Sequence, residues 1–125
     1  VNIAKTIEFH ENHGRSLTMT AVQPDGRYGA LDIADNNIIQ SFEEKPKGDG
    51  AWINGGFFVC KSKIFDFIEN DSTIFEREPL SNLSIQQELV AFKHEGFWEC
   101  MDTLRDKHRL CELWDENKAP WKTWT

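Results

Sequence analysis

The sequence lacks most of the motifs that identify common catalytic sites. It has no Walker A or GxGxxG phosphate loop, no GxSxG nucleophile elbow and no HExxH metal pair. It also lacks an apolar run near the roughly 20 residues that cross a membrane, and its first ten residues do not form a secretory signal. We therefore expect a soluble protein with no membrane partner and no covalent acyl-enzyme chemistry.

Cysteine, histidine and basic residues are too few or too scattered to define a site by themselves. The three cysteines form no CxxC pair and have hydrophobic neighbours, which favours reduced thiols and a cytoplasmic location. The four histidines are dispersed, so we assign none of them to a metal or to acid–base work. The chain has 14 basic and 21 acidic residues, and the resulting net charge of −7 argues against a nucleic-acid partner.

The composition itself is that of one folded domain. Hydrophobic residues make up 39% of the chain, which is enough for a buried core, and 125 residues leave room for a single domain. The chain starts at Val1, opens directly on a helical pattern and has its first methionine at Met19. We therefore expect it to be a piece of a longer polypeptide.

The first element predicted by the pattern is a helix. Asn2 is placed to cap it, and Gly14 is placed to end it in a left-handed conformation. Ile3, Ile7 and His10 recur at helical spacing and share one face. This helix is expected to precede the first strand of the sheet.

Turn residues and alternating apolar residues divide the remaining chain into a mixed α/β pattern. A cluster at residues 35–37 tolerates positive φ and predicts a hairpin between the second and third strands. The predicted helices cover residues 2–12, a short segment capped by Ser62, residues 78–88 and residues 103–117, and the predicted strands cover residues 17–22, 28–33, 38–43, 52–60, 89–94 and 97–100. The fold class is α/β, with a mixed sheet and flanking helices.

The densest polar signal lies at the end of the third strand. Glu44 and Lys45 stand side by side before Pro46, and strand ends are common ligand sites in α/β sheets. An ammonium there could hold a phosphate, and a carboxylate could accept hydrogen bonds from sugar hydroxyls. The alternative is a solvated charge pair.

Two further positions carry a functional and a structural interpretation. In the apolar strand, Asn54 precedes Gly55 and Gly56, which lets a ligand approach the backbone or forms a β-bulge. Asp102 lies where a strand gives way to a helix, so it is either a helix cap or a ligand of Mg²⁺. Magnesium sites often need only one or two protein carboxylates, because phosphates and waters complete the shell.

Several spaced blocks resemble one enzyme family. The blocks that resemble the sugar-1-phosphate nucleotidylyltransferases, and most of all the members that use CTP and glucose 1-phosphate, are in this order residues 27–33, 41–50, 53–59, 78–80, 96–98, 101–107 and 118–124. The resemblance implies a Rossmann-like nucleotidyltransferase fold of about twice this length. Residues 1–125 would be its C-terminal half, with the nucleotide-binding half absent and the chain alone inactive.

The resemblance also implies roles for individual residues. Lys45 matches the position that grips the sugar 1-phosphate, and Asp102 matches the second aspartate of the Mg²⁺ site. The glucose pocket would be lined by Tyr28, Gly29, Glu44, Lys45, Asn54 and Gly55. CTP and glucose 1-phosphate would give CDP-glucose and pyrophosphate, by direct attack of the sugar phosphate on the α-phosphorus.

Partners and alternatives follow from the same resemblance. A homo-oligomer is implied, and the indoles near the C-terminus are candidates for its interface. Two other functions stay open: a non-catalytic module that binds a sugar phosphate or supports oligomers, and a nucleotidylyltransferase of different base or sugar specificity.

Overall fold

A computed structural model describes residues 1–24, 29–46 and 51–124. The chain divides into two compact units, one formed by Asn2–Glu95 and the other by Gly96–Thr125 together with Val1. The elements are α1 (Ile3–His13), β1 (Leu17–Val22), β2 (Gly29–Ile33), β3 (Ile39–Pro46), β4 (Ile53–Cys60), a 3-10 turn (Ser62–Phe67), α2 (Glu78–Ile85), β5 (Leu89–Lys93) and α3 (Leu104–Asp115). All of them belong to the larger unit except α3, which belongs to the smaller one.

The main sheet of the larger unit is mixed, as the sequence predicted. Its order is β4-β1-β5, with β1 antiparallel to β4 and parallel to β5. Leu17 at the start of β1 lies opposite Cys60 on one side and Leu89 on the other. All six residues of β1 are buried, because the strand has a neighbour at each edge and structure over both faces.

The hydrophobic core lies on one face of this sheet. Leu17, Met19 and Ala21 alternate along β1 toward this face, as a strand period of two requires. Leu80 and Leu83 of α2 pack against them and are fully buried. The hydroxyl of Ser84 in α2 also donates to the carbonyl of Ile39 in β3 at 3.1 Å, which ties the helix to the hairpin.

The second and third strands form the predicted hairpin. Asn37 adopts a positive φ of 66°, and the amide of Ala34 donates to the carbonyl of Ile38 at 2.9 Å. The turn end of the hairpin is held to β5 by a hydrogen bond of 2.9 Å from the Ala91 amide to the Asn37 carbonyl. The hairpin is therefore attached to the main sheet through β5, although it forms a separate two-stranded sheet.

The first helix has the predicted ends but buries a different face. The Asn2 side chain accepts from the Lys5 amide at 3.0 Å, and Gly14 ends the helix at φ 70°. The side chains buried against the sheet are Thr6 and His10, while Ile3 remains 51% exposed. Of the face predicted from apolar spacing, His10 packs against the sheet but Ile3 does not. The reason is that β1 presents threonines to the helix.

Three other predictions differ from the structure at their boundaries. The 3-10 turn has Lys61 at its N-cap position and no side-chain cap, so the predicted role of Ser62 is wrong. Helix α2 ends at Ile85 rather than at residue 88, because Gln87 adopts a left-handed φ of 57°. Residues 97–100 form no strand.

The smaller unit is organised around α3. Thr103 and Asp106 form a capping box, in which each side chain accepts from the backbone amide of the other at 3.1 Å. The Arg109 guanidinium also pairs with the Glu99 carboxylate at 2.6 Å. Aromatic contacts complete the unit, with the rings of Phe97 and Trp121 centred 5.8 Å apart.

Two simpler predictions can also be compared with the structure. No helix among the described residues is long and apolar enough to span a membrane. The cysteines Cys60, Cys100 and Cys111 are free thiols, and Cys60 and Cys111 are exposed rather than packed in a core.

Candidate functional site

The predicted site residues are divided between the two units. The candidates for sugar and phosphate binding belong to β2, β3 and β4 of the larger unit, and the candidate metal ligand Asp102 belongs to the smaller one.

The open end of the hairpin brings two of the predicted segments together. Gly29 at the start of β2 lies opposite Pro46 at the end of β3, so its backbone is next to that of Lys45. For Glu44 and Lys45 the structure describes the backbone alone, as part of β3. Tyr28 lies outside the described residues. Strand β3 continues to Pro46, so the predicted end at residue 43 is wrong, and Glu44 and Lys45 belong to the last residues of the strand.

The hairpin is also connected to the strand that carries Asn54. The amide of Leu31 in β2 donates to the carbonyl of Trp52 at 2.8 Å, two residues before Asn54. The Trp52 ring is covered by the Lys93 ammonium, which lies 5.3 Å from its centroid. This hydrogen bond places β2 beside the residue that precedes β4, so segments that are far apart in sequence are neighbours in the fold.

The side chain of Asn54 is held at both ends. Its Oδ1 accepts from the Gly56 amide at 2.8 Å, and its Nδ2 donates to Glu76 Oε2 at 3.1 Å. A carboxamide nitrogen has two hydrogens, so one donor of Asn54 remains for a ligand. The sequence did not single out Glu76, because a carboxylate beside Arg77 and Glu78 reads as part of a solvated charged segment.

The glycines after Asn54 have different roles. A Cβ on Gly55 would lie 3.1 Å from both the Thr20 carbonyl oxygen and the Val22 Cγ1, so β1 occupies the space beside this residue. Gly56 has a φ of 84° and nothing within 4 Å of its ideal Cβ. Met19 pairs with Phe58 and Ala21 with Asn54, which is an irregular register of the kind a β-bulge produces.

Asp102 lies immediately before the cap of α3. Its amide donates to Asp106 Oδ2 at 3.1 Å, while Thr103 supplies the cap. Desolvation raises the pKa of the Asp106 carboxyl, but hydrogen bonds from Thr103, Asp102 and Cys100 outweigh it, so this pKa lies below its ordinary value. The capping alternative for Asp102 is therefore wrong, and its exposed side chain is left for another role.

The donor chemistry of Asp102 is compatible with magnesium. A carboxylate oxygen is a hard donor, and Mg²⁺ commonly takes one or two such groups together with phosphates and waters. Within residues 1–24, 29–46 and 51–124 there is no cluster of three or more His, Cys, Asp or Glu side chains that could hold a metal. A Mg²⁺ ion at Asp102 would therefore need most of its oxygen ligands from substrate phosphates and water.

A separate cavity of about 540 Å³ lies beside the N-terminal end of α2. Its walls are formed by Phe67, Glu69, Asn70, Ser72, Thr73, Ile74, Arg77, Glu78 and Asn82. None of the residues predicted from the sequence to bind substrate lines this cavity.

Comparison with known proteins identifies the chain's relatives. The Nucleotidyl transferase family model matches residues 1–106. The chain is 57% identical over 124 residues to the glucose-1-phosphate cytidylyltransferase of Salmonella typhimurium, covering 99% of this chain and 48% of that protein. It is 36% identical over 125 residues to a probable glucose-1-phosphate cytidylyltransferase of Bacillus subtilis, with the same coverage of each chain.

A solved structure has a similar fold. The crystal structure of HddC from Yersinia pseudotuberculosis superposes with a TM-score of 0.71 at 22% sequence identity, and covers 91% of this chain and 50% of that one. The chain spans about half the length of the curated relatives it matches.

Proposed function

The chain belongs to the nucleotidyl transferase family, and we propose that it is the sugar-phosphate-binding half of a glucose-1-phosphate cytidylyltransferase. The observation that carries this proposal is the 57% identity over 99% of the chain to the Salmonella typhimurium enzyme of that name. The substrates are CTP and glucose 1-phosphate, and the products are CDP-glucose and pyrophosphate. The 125-residue chain alone is proposed to be inactive, because it spans 48% of that relative.

The first proposed role is phosphate binding by Lys45, near the end of β3. Lys45 holds the phosphate of glucose 1-phosphate, which reduces the repulsion between this phosphate and the phosphates of CTP. The phosphate oxygen of the sugar then attacks the α-phosphorus of CTP, and pyrophosphate leaves without a covalent enzyme intermediate. Positioning and neutralisation of charge are the main contributions that a protein makes to such a transfer.

The glucose hydroxyls are bound by neighbouring polar groups. The groups proposed to bind them are Tyr28, Gly29 of β2, Glu44 of β3, and Asn54 and Gly55 of β4. The proposal for Asn54 is supported by its hydrogen bond to Glu76, which fixes the direction of the carboxamide and leaves one N–H free. The contact of Gly55 with β1 gives that residue a packing role in addition.

Asp102 would hold magnesium through its exposed carboxylate. A bound Mg²⁺ supplies charge stabilisation for the phosphates and helps to align them. Asp102 itself would orient and partly neutralise this cation, and the capping box behind it holds its backbone at the start of α3.

The proposal extends to assembly and location. Trp114 and Trp124 are 47% and 58% exposed, and we propose that this face contributes to a homo-oligomer of the parent enzyme. The free thiols of the cysteines support a cytoplasmic location.

Pyrophosphate release from CTP and glucose 1-phosphate tests the function. The parent polypeptide should turn over and the 125-residue chain should not. In the parent, Lys45→Ala should raise the KM for glucose 1-phosphate by about tenfold or more, because a charged hydrogen bond is lost. Asp102→Asn should lower kcat by about a hundredfold or more, as expected for loss of transition-state charge stabilisation.

Matched controls separate these effects from general damage. Lys63→Ala and Asp115→Asn remove like charges from exposed positions and should leave the kinetics unchanged. Near-normal kinetics in Lys45→Ala or Asp102→Asn would remove that residue from the mechanism. If the parent preferred another nucleotide or mannose 1-phosphate, its specificity would differ from the one proposed. If it bound glucose 1-phosphate but did not turn over, it would be a non-catalytic binding module.

A further inference from the structure

The contact between α1 and the central strand is unusually polar. Helix α1 buries Thr6 and His10, whereas Ile3 and Ile7 are 51% and 42% exposed. The facing residue of β1 is Thr18, which is fully buried. Apart from the Phe9 ring, which packs edge-on against Phe92 of β5 with centroids 5.3 Å apart, little apolar surface of the helix packs on the sheet. Hydrogen bonds therefore have a larger part in holding α1 in place.

These hydrogen bonds converge on one hydroxyl. The Oγ1 of Thr18 lies 2.8 Å from His10 Nδ1 and 2.6 Å from His13 Nε2. The two imidazole rings are centred 5.2 Å apart and are almost perpendicular. A single buried hydroxyl therefore joins two titratable rings on consecutive turns of α1.

The backbone determines which proton each ring carries. The Arg15 amide donates to His13 Nδ1 at 2.9 Å, so this nitrogen is unprotonated and Nε2–H donates to the Thr18 hydroxyl. The hydroxyl hydrogen of Thr18 is then donated to His10 Nδ1. In these three hydrogen bonds, each donor faces an acceptor. This match requires that both histidines are neutral and carry their proton on Nε2.

A proton on either ring disrupts this arrangement. Protonated His13 would direct Nδ1–H at the amide hydrogen of Arg15, which places two donors opposite each other. Protonated His10 would donate to Thr18 Oγ1, and the hydroxyl hydrogen of Thr18 would lose its acceptor in a buried site. Each protonation thus leaves one donor of this network without an acceptor, which raises the free energy of the docked helix.

We propose that His10, Thr18 and His13 form an acid-sensitive latch, which holds α1 on β1 at neutral pH and releases it when either histidine takes a proton. The core between β1 and α2 lies on the opposite face of the sheet and contains no member of the latch. Release is therefore confined to α1. The proposal is independent of the proposed transferase function.

The charges around the latch favour the neutral rings. The charge of His10 opposes protonation of His13, as do Arg15, after α1, and Lys61, after β4. Lys61 also opposes protonation of His10, whereas Glu11 on α1 favours it. Strand β1 contributes only the uncharged Thr18, and the charged residue of β5, Lys93, lies over Trp52.

Desolvation, followed by these charges, lowers the pKa of both His10 and His13 below the ordinary value of 6.5. The unfolded chain therefore takes up protons at higher pH than the folded one. The latch contribution to stability is complete above pH 6.5 and is lost as the pH falls through the lowered values.

Nuclear magnetic resonance of the wild-type chain tests the latch directly. Nitrogen-15 spectra should show both His10 and His13 with the proton on Nε2 at neutral pH, each titrating below 6.5. Amide exchange in α1, corrected for its intrinsic pH dependence, should lose protection as the pH falls below 6.5, by about tenfold for each pH unit by which the pKa is lowered. The amides of α2 should keep their protection.

A non-titrating variant provides the second test. In His10→Asn with His13→Gln, the new amides can present an acceptor and a donor near the original nitrogens but take no proton in this range. Protection of α1 should then be independent of pH, whereas the control His108→Asn in α3 should respond as the wild type does. A proton on Nδ1 of either ring, a pKa at or above 6.5, or an unchanged pH response in the double variant would overturn the proposal. If the double variant does not fold, the wild-type spectra decide.

Discussion

Replacement of Gly55 by alanine tests how closely β4 approaches β1. An added Cβ would meet the Thr20 carbonyl oxygen at 3.1 Å and the Val22 Cγ1 at 3.1 Å. Both contacts are tighter than ordinary van der Waals distances, and one of them is with backbone that sheet hydrogen bonds hold in place. The methyl group is therefore accommodated only if β4 moves away from the central strand.

The expected cost is that of overpacking a tight interior. Added methyl groups in such positions typically cost about 1 to 3 kcal/mol, and we expect about 2 kcal/mol for Gly55→Ala. For a chain of this size, that corresponds to a fall in Tm of roughly 8 °C. Urea unfolding followed by tryptophan fluorescence would measure the free energy, and a thermal melt would measure the Tm.

Gly56 supplies the control because its constraint is different. Its φ of 84° makes Gly56→Ala unfavourable by about 1 kcal/mol, although nothing occupies the space near its Cβ. Asparagine tolerates this backbone region, so Gly56→Asn should recover part of the loss. Gly55→Asn should lower stability at least as much as Gly55→Ala. At this position the loss of stability comes from contact of the side chain with β1 and not from a positive φ.

The result that would refute this reasoning is a Gly55→Ala protein with unchanged stability. If the same variant in the parent enzyme raised the KM for glucose 1-phosphate, the glycine would serve the approach of a ligand instead of the approach of β1. Loss of stability with normal substrate binding in the surviving folded enzyme would support the packing role.

Two further predictions concern the core and the cap of α3. Leu83→Ala should lose about 3 kcal/mol in urea unfolding, because Leu83 is fully buried among the core side chains. Its neighbour Ile85 is 78% exposed, so Ile85→Ala should change stability by less than about 0.5 kcal/mol, and equal losses would contradict the assigned core. Thr103→Ala should destabilise α3 by about 1 kcal/mol, seen as reduced helicity by circular dichroism. Thr103→Ser keeps the hydroxyl and should behave as the wild type, whereas a matching loss in both variants would argue against the capping role.

Local chemistry made much of the secondary structure predictable. The Asn2 cap and Gly14 stop depend on residues within one helical turn, and both are present in the structure. The first strand was predicted with the observed bounds, Leu17–Val22. Prediction failed at residues 97–100, where an apolar aromatic pattern suggests a strand but the segment is irregular.

The candidate site was predictable to a lesser extent. The position of Lys45 near the end of a strand could be predicted, but β3 continues to Pro46, which pairs with Gly29, so the proline does not interrupt the pairing as expected. Glu76 could not be identified, because its bond to Asn54 joins residues 22 positions apart. The choice of Thr103 over Asp102 as cap also depended on the backbone geometry at the start of α3.

The sequence alone determined the mixed α/β class, the hairpin turn and most element positions, since caps, turns and apolar periodicity act over a few residues. Tertiary structure decided which faces are buried. Helix α1 presents His10 rather than Ile3 to the sheet because β1 offers the buried hydroxyl of Thr18 as a partner. Tertiary structure also decided that Gly55 must be small, since its neighbours come from another strand. Such contacts depend on which strands become neighbours, and no local pattern contains that information.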